Sequence, residues 1–196
     1  MKGEWEMRRR FSVAAAALAL SVALTVPAYA GTWKYVNDQW KYQKGTNKFA
    51  YNEWIKDNGK YYYIGNDGIM KTGWQQVYGK WYYLGFAEDG SMKTYWQQIN
   101  GKWYFFGGAD DGAMKTGWVL DGDSWYYLKK DGVMTTGWLT LGEKTYFLDS
   151  NGRMLTGGVY IDDDFYVFNA DGTLNTETPD PSAWSARVLE LVNAAR

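Results

Sequence analysis

The chain has 196 residues, with 21 Lys and Arg against 22 Asp and Glu and a formal net charge of −1. Lacking a basic excess, it offers no phosphate-binding surface, which argues against a nucleic-acid partner. Neither His nor Cys occurs, so the usual metal ligands, general base and thiol nucleophile are missing, and no disulfide framework supports the fold.

Residues 1–30 open on Arg8-Arg9-Arg10, continue through an apolar run from Phe11 to Val26 and end in Pro27-Ala28-Tyr29-Ala30. Basic, apolar and small-residue segments in that order predict a secretory signal peptide, cleaved before Gly31. The run falls short of the ~20 residues a membrane span needs, so the mature chain is expected to carry no membrane anchor.

Residues 31–53 read as an irregular leading repeat: Trp33 and Trp40 stand seven apart, while Gln43 to Asn52 are polar and off-pattern. From Trp54 a Trp-led unit recurs over residues 54–177. Its copies are Trp54–Gly73, Trp74–Tyr95, Trp96–Gly117, Trp118–Gly137, Trp138–Gly157 and a degenerate sixth, Gly158–Glu177. A period this short marks an array in which each unit is one small supersecondary element that buries its apolar face on its neighbours.

Within Trp74–Tyr95, Trp74 to Val77 and Lys80 to Leu84 are rich in β-formers and flank Tyr78-Gly79, the pattern of a β-hairpin. A loop follows, ending in Asp89-Gly90; Asp67-Gly68, Asp111-Gly112, Asp131-Gly132, Asn151-Gly152 and Asp171-Gly172 hold the same place. These pairs suit positive φ, and they lack the alternating oxygen ligands of a calcium loop. Asp162-Asp163-Asp164 falls where other units turn their hairpin and reads as a solvated turn. The expected fold is all-β, an elongated β-hairpin repeat solenoid, with helix confined to the N-terminal signal and a short C-terminal segment. Residues 178–182, with Pro179 and Pro181, read as a linker. Trp184, Val188, Leu191, Val192 and Ala195 then recur at helical spacing, predicting a helix over 183–196.

The repeated letters resemble the choline-binding repeat family, the cell-wall-binding repeats of Gram-positive surface proteins. The resemblance rests on Thr72-Gly73-Trp74, Gly79-Lys80-Trp81-Tyr82-Tyr83 and Gly90-Ser91-Met92. It returns in Gly101-Lys102-Trp103-Tyr104-Phe105 with Gly112-Ala113-Met114, and in Trp125-Tyr126-Tyr127 with Gly132-Val133-Met134. It implies hairpins stacked in a left-handed superhelix, with sites between successive hairpins for the choline groups of teichoic acid or another cell-wall polymer. It also implies a secreted protein held non-covalently at the wall, with no cofactor. Separately, Val188 to Arg196 resembles the opening helix of a CAP domain, which implies that the sequence stops where such a domain begins.

A quaternary ammonium has no hydrogen to donate, so aromatic faces recognise it, at roughly 0.5–2 kcal/mol per contact. Alternation along Trp81-Tyr82-Tyr83 turns Tyr82 away from Trp81 and Tyr83, towards a neighbouring hairpin. The expected cages are therefore Trp74, Trp81 and Tyr104; Trp96, Trp103 and Tyr126; and Trp118, Trp125 and Tyr146. Met92, Met114 and Met134 are expected to line their floors, being soft and apolar. Trp54, Tyr61 and Tyr82 form a weaker set, since Tyr61 takes the second Trp position. Thr145 takes that position after Trp138 and the next unit opens on Gly158, so no working site is expected there. The function expected is non-catalytic anchoring to the cell wall. Because sugars also stack on Trp, a polysaccharide-binding module similar to the glucan-binding repeats of streptococcal glucosyltransferases stays open. So does the targeting part of a cell-wall-active protein, whose catalytic residues are absent from these repeats.

Overall fold

The computed structural model describes residues 31–176, and within them every regular element is a β-strand. The expected signal peptide, linker and C-terminal helix lie outside the described residues. Strands β1 (Thr32–Val36), β2 (Gln39–Gly45) and β3 (Lys48–Phe49) form a three-stranded sheet. Two-stranded hairpins follow: β4 (Glu53–Asp57) with β5 (Lys60–Ile64), β6 (Gly73–Val77) with β7 (Lys80–Leu84), and β8 (Tyr95–Ile99) with β9 (Lys102–Phe106). After these come β10 (Gly117–Asp121) with β11 (Ser124–Leu128), β12 (Gly137–Leu141) with β13 (Lys144–Leu148), and β14 (Gly157–Ile161) with β15 (Asp164–Phe168). Two compact units divide the chain. The first runs to Gln97 and includes Phe106–Met114; the second holds Gln98–Phe105 and everything from Lys115.

The hairpin turns follow from local chemistry. Tyr78 and Gly79 both take positive φ, 49° and 79°, the type I′ geometry whose twist matches that of paired strands. Asn58-Gly59 and Asn100-Gly101 do the same with residues better suited to it. Asp162 and Asp163 also turn with positive φ, and Asp164 begins β15. The leading segment is more regular than its polar sequence implies. Its second strand runs on to Gly45 and pairs with β3 through Gln43–Phe49 and Gly45–Lys48, with a bulge between them. As the sheet edge, β3 needs no apolar outer face, and Lys44 is paired with Glu53 at 2.8 Å.

Each hairpin closes on one residue at the end of its second strand. Ile64, Leu84, Phe106, Leu128 and Leu148 are fully buried, and each bridges to an apolar residue beyond the loop: Met70, Met92, Met114, Met134 and Met154. That residue's own N–H reaches back one hairpin. Met70 donates to the Trp40 carbonyl at 2.8 Å, Met92 to Tyr61 at 2.7 Å, Met114 to Trp81 at 2.7 Å, Met134 to Trp103 at 2.8 Å and Met154 to Trp125 at 2.8 Å. A lone hairpin is marginal in water. Here a main-chain bond that side-chain chemistry does not disturb ties each one to its predecessor.

Candidate functional site

Strand register decides which rings meet. Trp74 pairs across the hairpin with Tyr83, and Gln76 with Trp81. Since alternate positions share a face, Trp74, Trp81 and Tyr83 stand together and Tyr82 points the other way. Trp74 lies 6.3 Å from Trp81 at 81° and 5.2 Å from Tyr83. The hairpin of Trp118 repeats this, with Trp125 at 6.5 Å and 87° and Tyr127 at 5.2 Å. Two nearly perpendicular indoles make an open corner, and its second wall stays accessible: Trp81 is 43% exposed and Trp125 42%.

At Trp118 and at Trp54 the middle aromatic of the following hairpin meets the lead Trp. Tyr146 lies 4.9 Å from Trp118, and Tyr82 lies 4.9 Å from Trp54. Trp118, Trp125 and Tyr146 thus come together as one set. Trp54 and Tyr82 also meet, but Tyr61 is engaged elsewhere. Its hydroxyl donates to Asp110 at 2.8 Å, and the Lys56 ammonium, 3.3 Å from the same carboxylate, sits 4.8 Å over its ring. Trp74 and Trp81 share a hairpin in the first compact unit, and Tyr104 belongs to the second. Trp96 likewise belongs to the first, Trp103 and Tyr126 to the second; Trp96 and Tyr126 are half-buried and Trp103 is 41% exposed.

The methionines sit one hairpin earlier than their order in the sequence implies. Met92 packs with Trp54 against the cluster containing Tyr82 and Tyr63, and so belongs with Trp54, Tyr61 and Tyr82. The backbone bonds place Met114 beside Trp81, Met134 beside Trp103 and Met154, absent from the expected set, beside Trp125. The Asp-Gly turns make room for these side chains. Gly112 has φ 55°, and a Cβ there would stand 2.2 Å from the Met92 sulfur; only glycine satisfies both demands.

Two further features escaped the sequence. The cross-strand ring behind Trp54, Trp74, Trp118 and Trp138 (Tyr63, Tyr83, Tyr127 and Phe147) forms the back of the corner. The leading repeat also builds the full arrangement: Trp33 lies 6.5 Å from Trp40 and 4.9 Å from Tyr62, while Met70 bonds to the Trp40 carbonyl. The seven-residue Trp spacing carried that signal. Next to Tyr61 and Met92, a cleft of about 300 Å³ is bordered by Lys60, Lys93, Gln97 and Ala109.

Carboxylates from the Asp-Gly turns stand near the middle tyrosines. Burial pushes the Tyr62 hydroxyl from its ordinary 10.0 up to about 12, with Asp89 and Asp57 adding to the shift. Burial, then Asp111, raises Tyr82 in the same direction, and burial, then Asp131, raises Tyr104. At Asp89 burial works upward, but hydrogen bonds from Lys93 and Ser91 outweigh it and hold the carboxyl below its usual range. Tyr62 is therefore held neutral and Asp89 charged, the carboxylate being already paired with Lys93 and Lys60. The stability gained by keeping Tyr62 neutral is complete below pH 10 and is lost as pH climbs from 10 towards 12. A phenolate absorbance titration of the folded protein should show a late phase above pH 10, whose latest part Tyr62→Phe removes. Titration of every tyrosine together near pH 10 would contradict this burial.

Comparison with known proteins agrees with this geometry. Residues 93–136 and 135–177 match the choline-binding repeat, and residues 52–70 and 72–92 match a cell wall binding repeat. The structure is similar to choline binding protein F from Streptococcus pneumoniae, with 38% identity, 76% of this chain and 53% of that one covered, and a TM-score of 0.69. It is also similar to CbpJ from Streptococcus pneumoniae TIGR4 (38% identity, 73% and 51% covered, TM-score 0.66). A third similar structure is the choline-binding domain of CbpL from Streptococcus pneumoniae (32% identity, 73% and 76% covered, TM-score 0.57). The chain spans about half the length of the first two. No curated protein matches it. With 32% identity across three-quarters of the CbpL domain and repeat matches along its hairpins, the chain belongs to the choline-binding repeat family.

Proposed function

We propose that this chain is a non-catalytic cell-wall anchoring module that holds the choline groups of teichoic acid in aromatic cages between successive hairpins. The observation that carries this reading is the corner of Trp118, Trp125 and Tyr146, with rings at 6.5 and 4.9 Å and one indole face left open. A trimethylammonium group fits such a corner because every wall presents π density and none demands a hydrogen bond. Trp33 with Trp40 and Tyr62 is a sister cage, and Trp74 with Trp81 and Trp103 with Tyr126 offer further aromatic walls. Met114, Met134 and Met70 accompany them, and Met154 accompanies Trp125. Trp54, Tyr61, Tyr82 and Met92 form a weaker cage, because Lys56 already lies over the Tyr61 ring.

The reading includes export through residues 1–30 and a hairpin-repeat solenoid, which the recurrent bond to the preceding hairpin supports. Several weak sites along one chain then grip a polymer through effective concentration, with no single tight pocket. Passed over a tertiary-amine resin that mimics choline, the protein is expected to bind and to leave with free choline. Failure to bind, or release by oligosaccharide alone, defeats the assignment.

A further inference from the structure

Around Trp138 the frame of a cage persists while one wall has changed its chemistry. Trp138 lies 4.9 Å from Tyr166 and 5.0 Å from Phe147, with Phe168 at 6.0 Å. The Leu174 N–H donates to the Thr145 carbonyl at 2.7 Å, as Met154 does to Trp125. Where the second indole stands in other hairpins, this one has Thr145, paired across the strands with Thr140, their hydroxyl oxygens 3.3 Å apart. Register places Trp138, Thr140, Thr145 and Phe147 on one face. Lys144, adjacent to Thr145, is 3.7 Å from Asp171 of the next repeat, adding charged groups nearby.

This arrangement suits choline poorly. A trimethylammonium group would lose an indole face, roughly 0.5–2 kcal/mol of cation–π attraction, and its methyls would give the two hydroxyls nothing to bond. A pyranose has the opposite needs. One of its faces is lined with C–H bonds and lies flat on an indole, and its rim carries hydroxyls that require partners. Trp138, 43% exposed, supplies the platform. The Thr140–Thr145 pair spends one hydroxyl hydrogen on itself and keeps the other, with free lone pairs, for a ligand.

We propose that the site of Trp138, Thr140, Thr145 and Tyr166 binds a neutral pyranose unit of a cell-wall polysaccharide instead of choline. The module would then hold the wall by two chemistries. The inference builds on the choline reading of the other cages, but its test is separate from theirs. With free choline in excess to fill those cages, an N-acetylglucosamine tetramer and a glucose tetramer are titrated into the protein, followed by saturation-transfer NMR and Trp fluorescence. Binding of either sugar is expected to survive the choline. In Thr140→Val with Thr145→Val it should weaken by roughly 10-fold, the effect of lost hydrogen bonds, while retention on the amine resin is unchanged. Valine keeps the shape and strand preference of threonine, so an equal melting temperature certifies the variant. Thr145→Trp is expected to abolish sugar binding and to add one choline equivalent by calorimetry. Displacement of the sugar by choline, absence of binding by both tetramers, or undiminished binding in the valine variant would overturn the proposal. A protein that binds sugar yet ignores the amine resin would sink the choline reading and leave this one standing.

Discussion

Phe106→Ala is expected to lower stability by about 3–5 kcal/mol, the range for emptying a buried aromatic site. Phe106 is fully buried at the end of β9, bridges to Met114 and lies 5.7 Å from Trp74. Its loss would leave a cavity under the lead indole of an earlier hairpin. The same change should loosen choline binding at the Trp74 corner, because that ring would lose its support. Urea unfolding measures the first effect as a fall in midpoint at constant slope, and choline calorimetry measures the second. Phe106→Leu, which refills most of the space, should recover much of both. An alanine variant as stable as the parent would mean that the hairpin ends do not form the core.

Trp118→Ala is expected to cost about 2–4 kcal/mol of stability and, on the proposed function, to remove one choline equivalent, because that ring packs against its neighbours and is a wall of the proposed cage. Its half-buried side chain touches Tyr127 behind it and Tyr146 from the next hairpin. Trp125→Ala is the informative contrast. Trp125 is 42% exposed, so its removal should take away a similar share of choline binding with much less loss of stability. Thermal unfolding and calorimetry on the pair separate the two roles. If the two variants melt alike, the division between supporting and presenting rings is wrong.

The hairpins were legible because their signals are local. Strand-forming pairs around Tyr78-Gly79 and Asp162-Asp163 fixed the turns, and alternation along Trp81-Tyr82-Tyr83 sorted the rings onto two faces. The methionines were not, because their place depends on how one repeat meets the last. Nothing in the period of the sequence tells whether Met92 attends Trp74 or Trp54; the bond from its N–H to Tyr61 does. The capture of Tyr61 by Asp110 was equally hidden, since the carboxylate arrives from a longer loop 49 residues away. Trp33 and Trp40 show the reverse failure: the spacing was visible, but the polar stretch after them obscured a leading hairpin as well formed as its successors.

The backbone tie between each hairpin and the one before it bears on how such a protein diversifies. Because the donor and acceptor are peptide groups, Leu174 and Thr145 make it as well as Met154 and Trp125 do. The scaffold is thus indifferent to which side chains decorate it, and a storey can be refurnished for a new guest without rebuilding its neighbours.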